Sequence, residues 1–374
     1  VLDLVLVGAG LANGLLAWRL LQTRPDVAFA VVEAGSTVGG NHTWSFHGTD
    51  LSKGQLEWVW VLVSKSWPSH DVWLGKEPRR IGGGYHSIRS EDFHWKLSEG
   101  LKDRLRLQTK AVEVGATHVT LSTGERLEAK AVLDGRGFSS APTWPCGYQK
   151  FLGIDIELSR PHGLEVPLLM DGRVDQHGAF RFVYLLPWDE RRLLVEDTSY
   201  SDDAALDLPV LRGRIRAYLA ARGWSVVKEL RSESGALPIP LLGDAPSFDR
   251  PTVGVAGGWF HATTGYSVPM AVALAEAIAA REDFSAPALT AWLLGQARAH
   301  WTTQGFFRLL NRMLFRGAQP EKRVKIFESF YRHDDALIGR FYAGKLSATD
   351  KLKVLGRGAP TVSGLRALRA ALPR

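Results

Sequence analysis

Residues 1–7 form an apolar run that ends in a glycine turn, residues 11–22 carry apolar positions at helical spacing until Pro25 closes them, and residues 28–32 are apolar again. A strand, a glycine-rich turn, a helix and a second strand in that order predict a βαβ unit, with a right-handed crossover in a parallel sheet. Residues 51–85 are rich in Trp, Gly and Pro and have no clear period. Residues 91–100 predict a helix, and 105–114, 119–122 and 126–132 predict short strands. From 147 the pattern lengthens, with strand-like runs at 151–158, 166–170 and 179–186. The turn Pro187–Trp188–Asp189–Glu190 then returns the chain as 191–198, which predicts a hairpin. Residues 204–221 predict a helix and 224–232 another strand, with Pro238 and Pro240 breaking the chain beyond it. Apolar residues near 253–256 resume the first part of the chain, 268–280 predict a buried helix and 286–346 further helices. The last residues read as loosely ordered, and no internal repeat is present.

This order predicts an α/β protein: a Rossmann-like dinucleotide-binding domain, a mostly antiparallel sheet domain for substrate, and a helical C-terminal region. The boundaries expected are 1–50, 86–146 and 245–285 for the nucleotide domain, 51–85 and 147–244 for the substrate domain, and 286–374 for the helical region. A chain of 374 residues that is 45% hydrophobic can bury a core divided among two or three packed parts. Cys146 is the one cysteine, so an internal disulfide framework and a Cys-based metal cage are excluded; no metal site is expected, and a reducing cytosol suits the chain. The opening strand is not preceded by a signal or transit pattern. Residues 251–275 are free of Asp, Glu, Lys and Arg. Their glycines, two prolines and His261 would break a membrane-crossing helix, so they predict a loop feeding a buried helix.

Charge changes the picture at the C-terminal end. The formal charge is +7, yet residues 301–374 hold fifteen Lys and Arg against five Asp and Glu, so the rest of the chain is net acidic. Between 306 and 316 the basic residues alternate with bulky apolar ones. Helical spacing gathers Arg308, Arg312 and Arg316 on one face, which fits a helix lying on a phospholipid surface better than a nucleic-acid contact.

The turn Gly8–Ala9–Gly10–Leu11–Ala12–Asn13–Gly14 lies where a strand hands over to a helix, so Gly8 and Gly10 permit a tight turn and close approach of a pyrophosphate to the amides of Leu11 and Ala12. Asn13 occupies the third glycine position, and Gly14 is placed to take over the close-packing role. Glu33 ends the second strand at the distance expected for a carboxylate that binds ribose hydroxyls and disfavours a 2′-phosphate. A purely steric role for such glycines is the alternative; Glu33 favours the nucleotide. Gly39–Gly40 and a second turn after Ala131–Val132–Leu133, at Asp134–Gly135–Arg136–Gly137, favour FAD over NAD.

Strand alternation over 191–198 sets Leu194, Glu196 and Thr198 on one face and Leu193, Val195 and Asp197 on the other, so only one of the two acids can face an apolar chamber. A carboxyl flanked by Leu and Thr would have its pKa raised and stay a proton donor near neutrality. Glu196 is the candidate acid. The alternative, both acids exposed or paired with Arg191 and Arg192, stays open on composition. Thirteen Trp, sixteen Phe and eight Tyr, with clusters at 44–46, 58–60 and 259–260, are compatible with ordinary packing one by one. Jointly they suggest a long apolar tunnel that tolerates a cation. The loop from Gly257 to Pro269 precedes a helix, with Ser267 or Thr264 as N-cap and Pro269 in the first turn. Its backbone at Gly257, Thr264, Gly265 and Tyr266 could cradle a flavin. His261 in that loop reads as structural.

Taken together, these segments resemble the bacterial lycopene β-cyclases over nearly the whole chain. The motifs are the opening 3–14 segment, Asn41–His42–Thr43–Trp44–Ser45–Phe46, Asp134–Gly135–Arg136–Gly137, Gly147–Tyr148–Gln149–Lys150–Phe151, Val195–Glu196–Asp197–Thr198, Thr263–Thr264–Gly265–Tyr266–Ser267 and Arg340–Phe341–Tyr342–Ala343–Gly344. Asn13 belongs to that pattern. Ala262 departs from an expected proline, and Gly257–Gly258 from a Gly-Arg-Gly-like sequence. The resemblance implies a fold like that of geranylgeranyl reductases and p-hydroxybenzoate hydroxylase, and bound FAD acting reduced without net redox. It also implies conversion of lycopene, and by extension other acyclic carotenoids, to β-carotene through γ-carotene. It further implies a cytoplasmic protein held peripherally at the inner membrane, and an essential acid at Glu196. Asp197, Glu233 and His42 are weaker candidates for returning the proton or tuning Glu196. Two rivals remain on the sequence: a redox flavoprotein acting on prenyl or polyene lipids, and a carotenoid carrier without catalysis. The oligomeric state is not indicated.

Overall fold

The computed structural model describes residues 1–138 and 144–358. The reading of the final residues as loosely ordered, and part of the basic tail, lie outside them. Three sheets organise the chain. The first has six strands in the order Leu105–Arg106, Phe29–Val32, Leu2–Val7, Arg126–Asp134, His118–Leu121 and Ala111–Val114. Leu2–Val7 pairs in parallel with both neighbours, and the last two strands run antiparallel. Helix Leu11–Thr23 supplies the crossover, as the apolar periodicity predicts. One face of this sheet packs against helices Leu11–Thr23, Val268–Ala279 and Ala286–Thr303, with Leu4, Leu6, Val31 and Leu133 at its centre.

The second sheet has seven strands, in the order Val226–Pro240, Cys146–Leu158, Arg192–Ser201, Phe180–Pro187, Leu168–Asp171, His70–Trp73 and Arg79–Ile81. All its pairings are antiparallel except Leu168–Asp171 with His70–Trp73. One face is covered by helix Leu208–Ala221 through Leu211, Ile215 and Leu219, against Ile154, Ile156, Leu193 and Val195. Phe180, Phe182 and Tyr200, on the other face, pack with the C-terminal helices Gly305–Arg312, Arg323–Phe330 and Asp335–Tyr342. A small antiparallel sheet of Thr43–His47, Tyr85–Arg89 and Lys65–Trp67 lies beside the large one. Segment 51–85 is therefore divided between sheets. Backbone pairing of Asp134 with residues 251–253 brings the chain back to the first sheet before the loop that carries the site.

Two predicted elements differ. The run 105–114 is two strands on opposite edges of the first sheet, because Gln108 adopts a left-handed conformation (φ 51°) that a strand cannot continue through. Pro238 and Pro240 do not break the chain; they end a strand that runs from Val226 to Pro240. That strand is at the edge of the sheet, where a residue without an N–H leaves no ladder bond unmade.

Gly14 carries the close helix packing. A Cβ there would stand 2.6 Å from the ring of Phe93 on helix Ser90–Leu101. Gly14→Ala is expected to destabilise the fold by about 1–3 kcal/mol through overpacking, despite alanine's better helix propensity. Denaturant unfolding measures it, and Phe93→Leu in the same chain should restore part of the loss.

Candidate active site

The nucleotide end is built from three strand termini. Gly8 (φ 83°) cannot carry a side chain, since a Cβ would lie 2.9 Å from the backbone of Gly135 and Arg136. Asn13 occupies the space beside it. Its amide donates to the carbonyl oxygens of Val7 (3.1 Å), Gly8 (2.9 Å) and Leu133 (3.4 Å), tying two adjacent strands of the sheet, Leu2–Val7 and Arg126–Asp134, together at their C-terminal ends. A Cβ on Gly135 would meet that amide at 2.4 Å, so asparagine and glycine specify one another. Helix Leu11–Thr23 begins at Gly10 with no side-chain cap and no acidic residue in its first turn, which leaves its amides turned toward the space in front. Glu33 is held at this turn by the amides of Ala9 (2.7 Å) and Gly35 (2.7 Å).

In front of the turn lies a cleft with about 1610 Å³ of empty space. Gly10, Leu11 and Ala12 form one end, Gly135, Arg136 and Gly137 a side, and Thr264, Gly265 and Tyr266 the rim before helix Val268–Ala279. That helix starts at Ser267 with no side-chain cap and with Pro269 in its first turn, so its amides are also free. A glycine-rich cradle between two helix N-termini without side-chain caps fits an elongated nucleotide of the FAD type.

The other wall of the same cleft is the large sheet. Leu194 and Glu196 face the cleft, whereas Leu193 and Val195 pack under helix Leu208–Ala221, as the alternation predicts. Glu196 lines the cleft, and burial pushes its carboxyl up to about 8, aided by the nearby charge of Glu233. Thr198 opposes this in part by donating a hydrogen bond to Glu196 Oε1 (2.6 Å). Glu196 is therefore a carboxylic acid at neutral pH.

Glu233 lies two strands away, with only Gly153 between them: Gly153 pairs with Glu196 on one side and Glu233 on the other. A Cβ on Gly153 would come within 3.3 Å of Glu196 Oε2 and 3.2 Å of Glu233 Cγ, so the glycine lets the two side chains approach over it. Burial raises Glu233 to about 7, with Arg231 pulling the other way at 3.7 Å. Arg231 is itself anchored on Asp155 (2.8 Å) and Thr43 (2.6 Å). His42 lines the cleft, and burial followed by the Arg231 charge lowers its pKa, so it is neutral.

Sequence reasoning gave no role to the wall residues Tyr85, Tyr184 and Gln149, nor to Gly153 between the two acids. Tyr85, Tyr184 and Tyr266 join their hydroxyls in a triangle with edges of 2.7, 3.0 and 2.7 Å. Tyr184 is the register partner of Glu196, so a phenol stands beside the acid. These residues come from sheets and loops far apart in sequence; only the motifs holding Gln149 and Tyr266 offered a signal.

Several expectations need correction. Asp197 is on the far face of its strand and fully buried, where Arg181 donates to it from Nε (2.8 Å) and Nη2, so it does not reach the cleft. Gly257 lies behind the wall, packed on Trp259 and Thr252, and Gly254 and Val255 take its place at the surface of the cleft. Asp134 is held by Arg136 (2.9 and 2.7 Å), and its neighbour Gly135 makes the wall. Of the aromatic clusters, Trp44 and Trp259 face the cleft; Phe46 is core, Trp58 donates to Glu276 (2.9 Å) and Trp60 is exposed. The 306–316 segment is not one surface helix. It ends at Arg312 and continues as a π-turn Met313–Gly317, and Arg308 and Arg312 donate to the carbonyl oxygens of Trp301 (2.6 Å) and Leu241 (2.8 Å). Of the three arginines only Arg316 is exposed. Among the described residues no cluster of His, Cys, Asp and Glu could hold a metal ion.

A parallel sheet with a nucleotide turn, facing an antiparallel sheet across a shared cleft, defines a flavoprotein-type fold. A geranylgeranyl bacteriochlorophyll reductase-like protein from Thermoplasma acidophilum has it, with a TM-score of 0.59 at 14% identity and 99% of each chain covered. So does a HpxO variant from Klebsiella pneumoniae solved with FAD, with a TM-score of 0.60 at 13% identity over 97% of this chain and 100% of the other. The family described as lycopene cyclase protein matches residues 3–369. The lycopene beta-cyclase of Pantoea ananas is 44% identical over 98% of this chain and 97% of its own, and that of Pseudescherichia vulneris 45% over 99% and 97%. The chain belongs to the lycopene cyclase family.

The raised carboxyl of Glu196 has a consequence for stability. A folded-state pKa of about 8 against an ordinary value of 4.5 means the folded chain binds the extra proton between these limits. Stability from this group is full below about pH 4.5 and is lost as pH rises toward about 8. Glu196→Gln should therefore melt higher than the parent chain at pH 8 and lose the gap at pH 5; melting curves across that range measure it.

Proposed function

We propose that this chain closes the acyclic ends of lycopene into β-rings, giving β-carotene by way of γ-carotene, without net electron transfer. One observation carries the reading: Glu196, whose carboxyl burial pushes well above its usual range, faces a cleft that also contains the nucleotide turn. Membership of the family supports the substrate. A carrier would have no use for an acid whose ionisation burial opposes.

Glu196 gives its proton to the terminal alkene. The tertiary cation is attacked by the internal double bond, a six-membered ring closes, and loss of a neighbouring proton forms the β-ring. That last proton must return to the carboxylates. Glu233, across Gly153 and tuned close to neutrality, is suited to take it and to pass it back to Glu196. Neutral His42 is a second acceptor at the same wall. The aromatic faces of Trp44, Tyr184 and Tyr266 and the low polarity of the cleft favour a short-lived cation over its capture by water. Asp197 acts only through structure, by neutralising Arg181 beneath the strand.

FAD would be held by the turn at Gly8, Gly10, Leu11 and Ala12 for the pyrophosphate, Glu33 for the ribose, and Gly135 with Thr264, Gly265 and Tyr266 along its length. When bound and reduced, it supplies negative charge that stabilises the cationic transition state and gives up no hydride. In this reading residues 1–50, 86–146 and 245–285 serve the cofactor, 51–85 and 147–244 the substrate, and 286–374 the membrane side. No helix among the described residues is long and apolar enough to cross a membrane. Peripheral attachment through the basic helical region at the cytoplasmic face is the proposed mode.

Anaerobic incubation with lycopene in vesicles and catalytic dithionite-reduced FAD should yield β-carotene or γ-carotene of unchanged mass. A product two mass units away, or reductant consumed one for one, would point to redox chemistry. Glu196→Gln should lower turnover by at least about a thousandfold with FAD binding retained; substantial residual activity would remove Glu196 from its role. Vesicle flotation should carry the protein upward with the lipid, and a wholly soluble fraction would count against attachment.

A further inference from the structure

A second space lies beyond the cleft, between the large sheet and the C-terminal helices, with about 1030 Å³ of empty volume. Met170, Phe182 and Tyr200 come to it from the sheet, and Leu314, Phe327 and Phe341 from the helical side opposite. Apolar side chains meet across it from both sides, as in a site for a hydrocarbon ligand. Its polar groups are mostly turned inward. Asn311 donates to the carbonyl oxygens of Pro240 and Ala262 (both 2.9 Å), and Tyr200 to that of Thr263 (3.1 Å). Among the described residues the one charged side chain on the wall is Arg357, at the exposed rim, where it donates to the carbonyl of Arg332 (2.6 Å). Such a wall offers a polar ligand little and a hydrocarbon a great deal.

This space and the acid-bearing cleft share four wall residues: Gln149, Tyr184, Thr264 and Tyr266. The boundary is the Tyr184–Tyr266 hydroxyl pair, and Tyr184 is the cross-strand partner of Glu196. The same strand carries Glu196 into one space and Tyr200 into the other, four residues on, or about 13 Å at strand rise. At the far side the wall reaches Val354 and Leu355, partly exposed on helix Ala348–Gly358, beside the exposed Leu352. The space therefore runs from the acid to an apolar, basic surface.

We infer that this second cavity holds the polyene chain of the substrate while its reacting end lies at Glu196, and that its mouth at helix Ala348–Gly358 is where the carotenoid passes from the lipid. The inference rests on the assignment of the reacting end to Glu196. The cleft must also hold the cofactor, and this apolar space continues from it through four shared wall residues. The walls contributed by Met170 and Leu314 then govern substrate binding and leave the chemistry alone.

Leu314→Trp fills the cavity from the helix side and Met170→Phe from the sheet side. Either should raise the KM for vesicle-borne lycopene by roughly tenfold or more, with FAD affinity and the pH dependence of kcat unchanged. An unchanged KM in FAD-binding variants, or a loss confined to kcat, overturns the proposal. Binding of lycopene to Glu196→Gln, monitored through the shift of the polyene's visible absorption, keeps this test separate from the role of the acid. Adding Leu314→Trp or Met170→Phe in that background should weaken binding whether or not Glu196 proves to be the proton donor, and binding left unchanged by both overturns the assignment of the cavity.

Discussion

Ionising a carboxyl group that faces hydrocarbon means giving up hydration that nothing in the wall replaces, and the site depends on that cost. Glu196 can bear it because the strand around it is fixed on both faces. Below, Leu193 and Val195 are locked under helix Leu208–Ala221, and Asp197 is neutralised by Arg181. Above, the cleft offers one hydroxyl, that of Thr198, and no cation in contact among the described residues. Had Arg181 lain on the cleft side, the acid would be a carboxylate and could not start a cationic reaction. Pairing the arginine with the neighbouring residue, on the opposite face, keeps a charge balanced in the core and leaves Glu196 protonated.

The position of the second carboxylate is a matter of sheet geometry. Gly153 is the middle residue of a three-strand row, and its missing side chain leaves room for Glu196 and Glu233 to lean toward each other. Two carboxyl groups so close cannot both ionise cheaply, so one proton is shared between an acid and its acceptor. Arg231 biases the pair by lying within ion-pair distance of Glu233 and acting more weakly on Glu196, which agrees with the lower of the two raised values belonging to Glu233.

Much of this was legible in the sequence where the information is local. The βαβ order, the hairpin at 187–190 and the face of Glu196 rest on periods of two and 3.6 residues, and each was found in place. Asn13 and Gly14 were recognisable as a variant of the nucleotide turn because their roles depend on adjacent backbone. What could not be read were features set by register and by long-range contact. Nothing in residues 224–240 says that Glu233 aligns with Gly153, or that an edge position excuses Pro238 and Pro240. The tyrosine triangle draws on residues 85, 184 and 266. Helical spacing marked Arg308 and Arg312 as a surface face, yet carbonyls of Trp301 and Leu241 claim them, because spacing does not say which side of a helix meets the core.

The central claim is that Glu196 is protonated at neutral pH inside the cleft, and infrared difference spectroscopy of the carboxyl C=O stretch tests it directly. A band assigned to Glu196 by its absence in Glu196→Gln should persist through pH 7 and disappear with a midpoint near 8. A carboxylate at pH 6, with no such band to lose, would contradict the account.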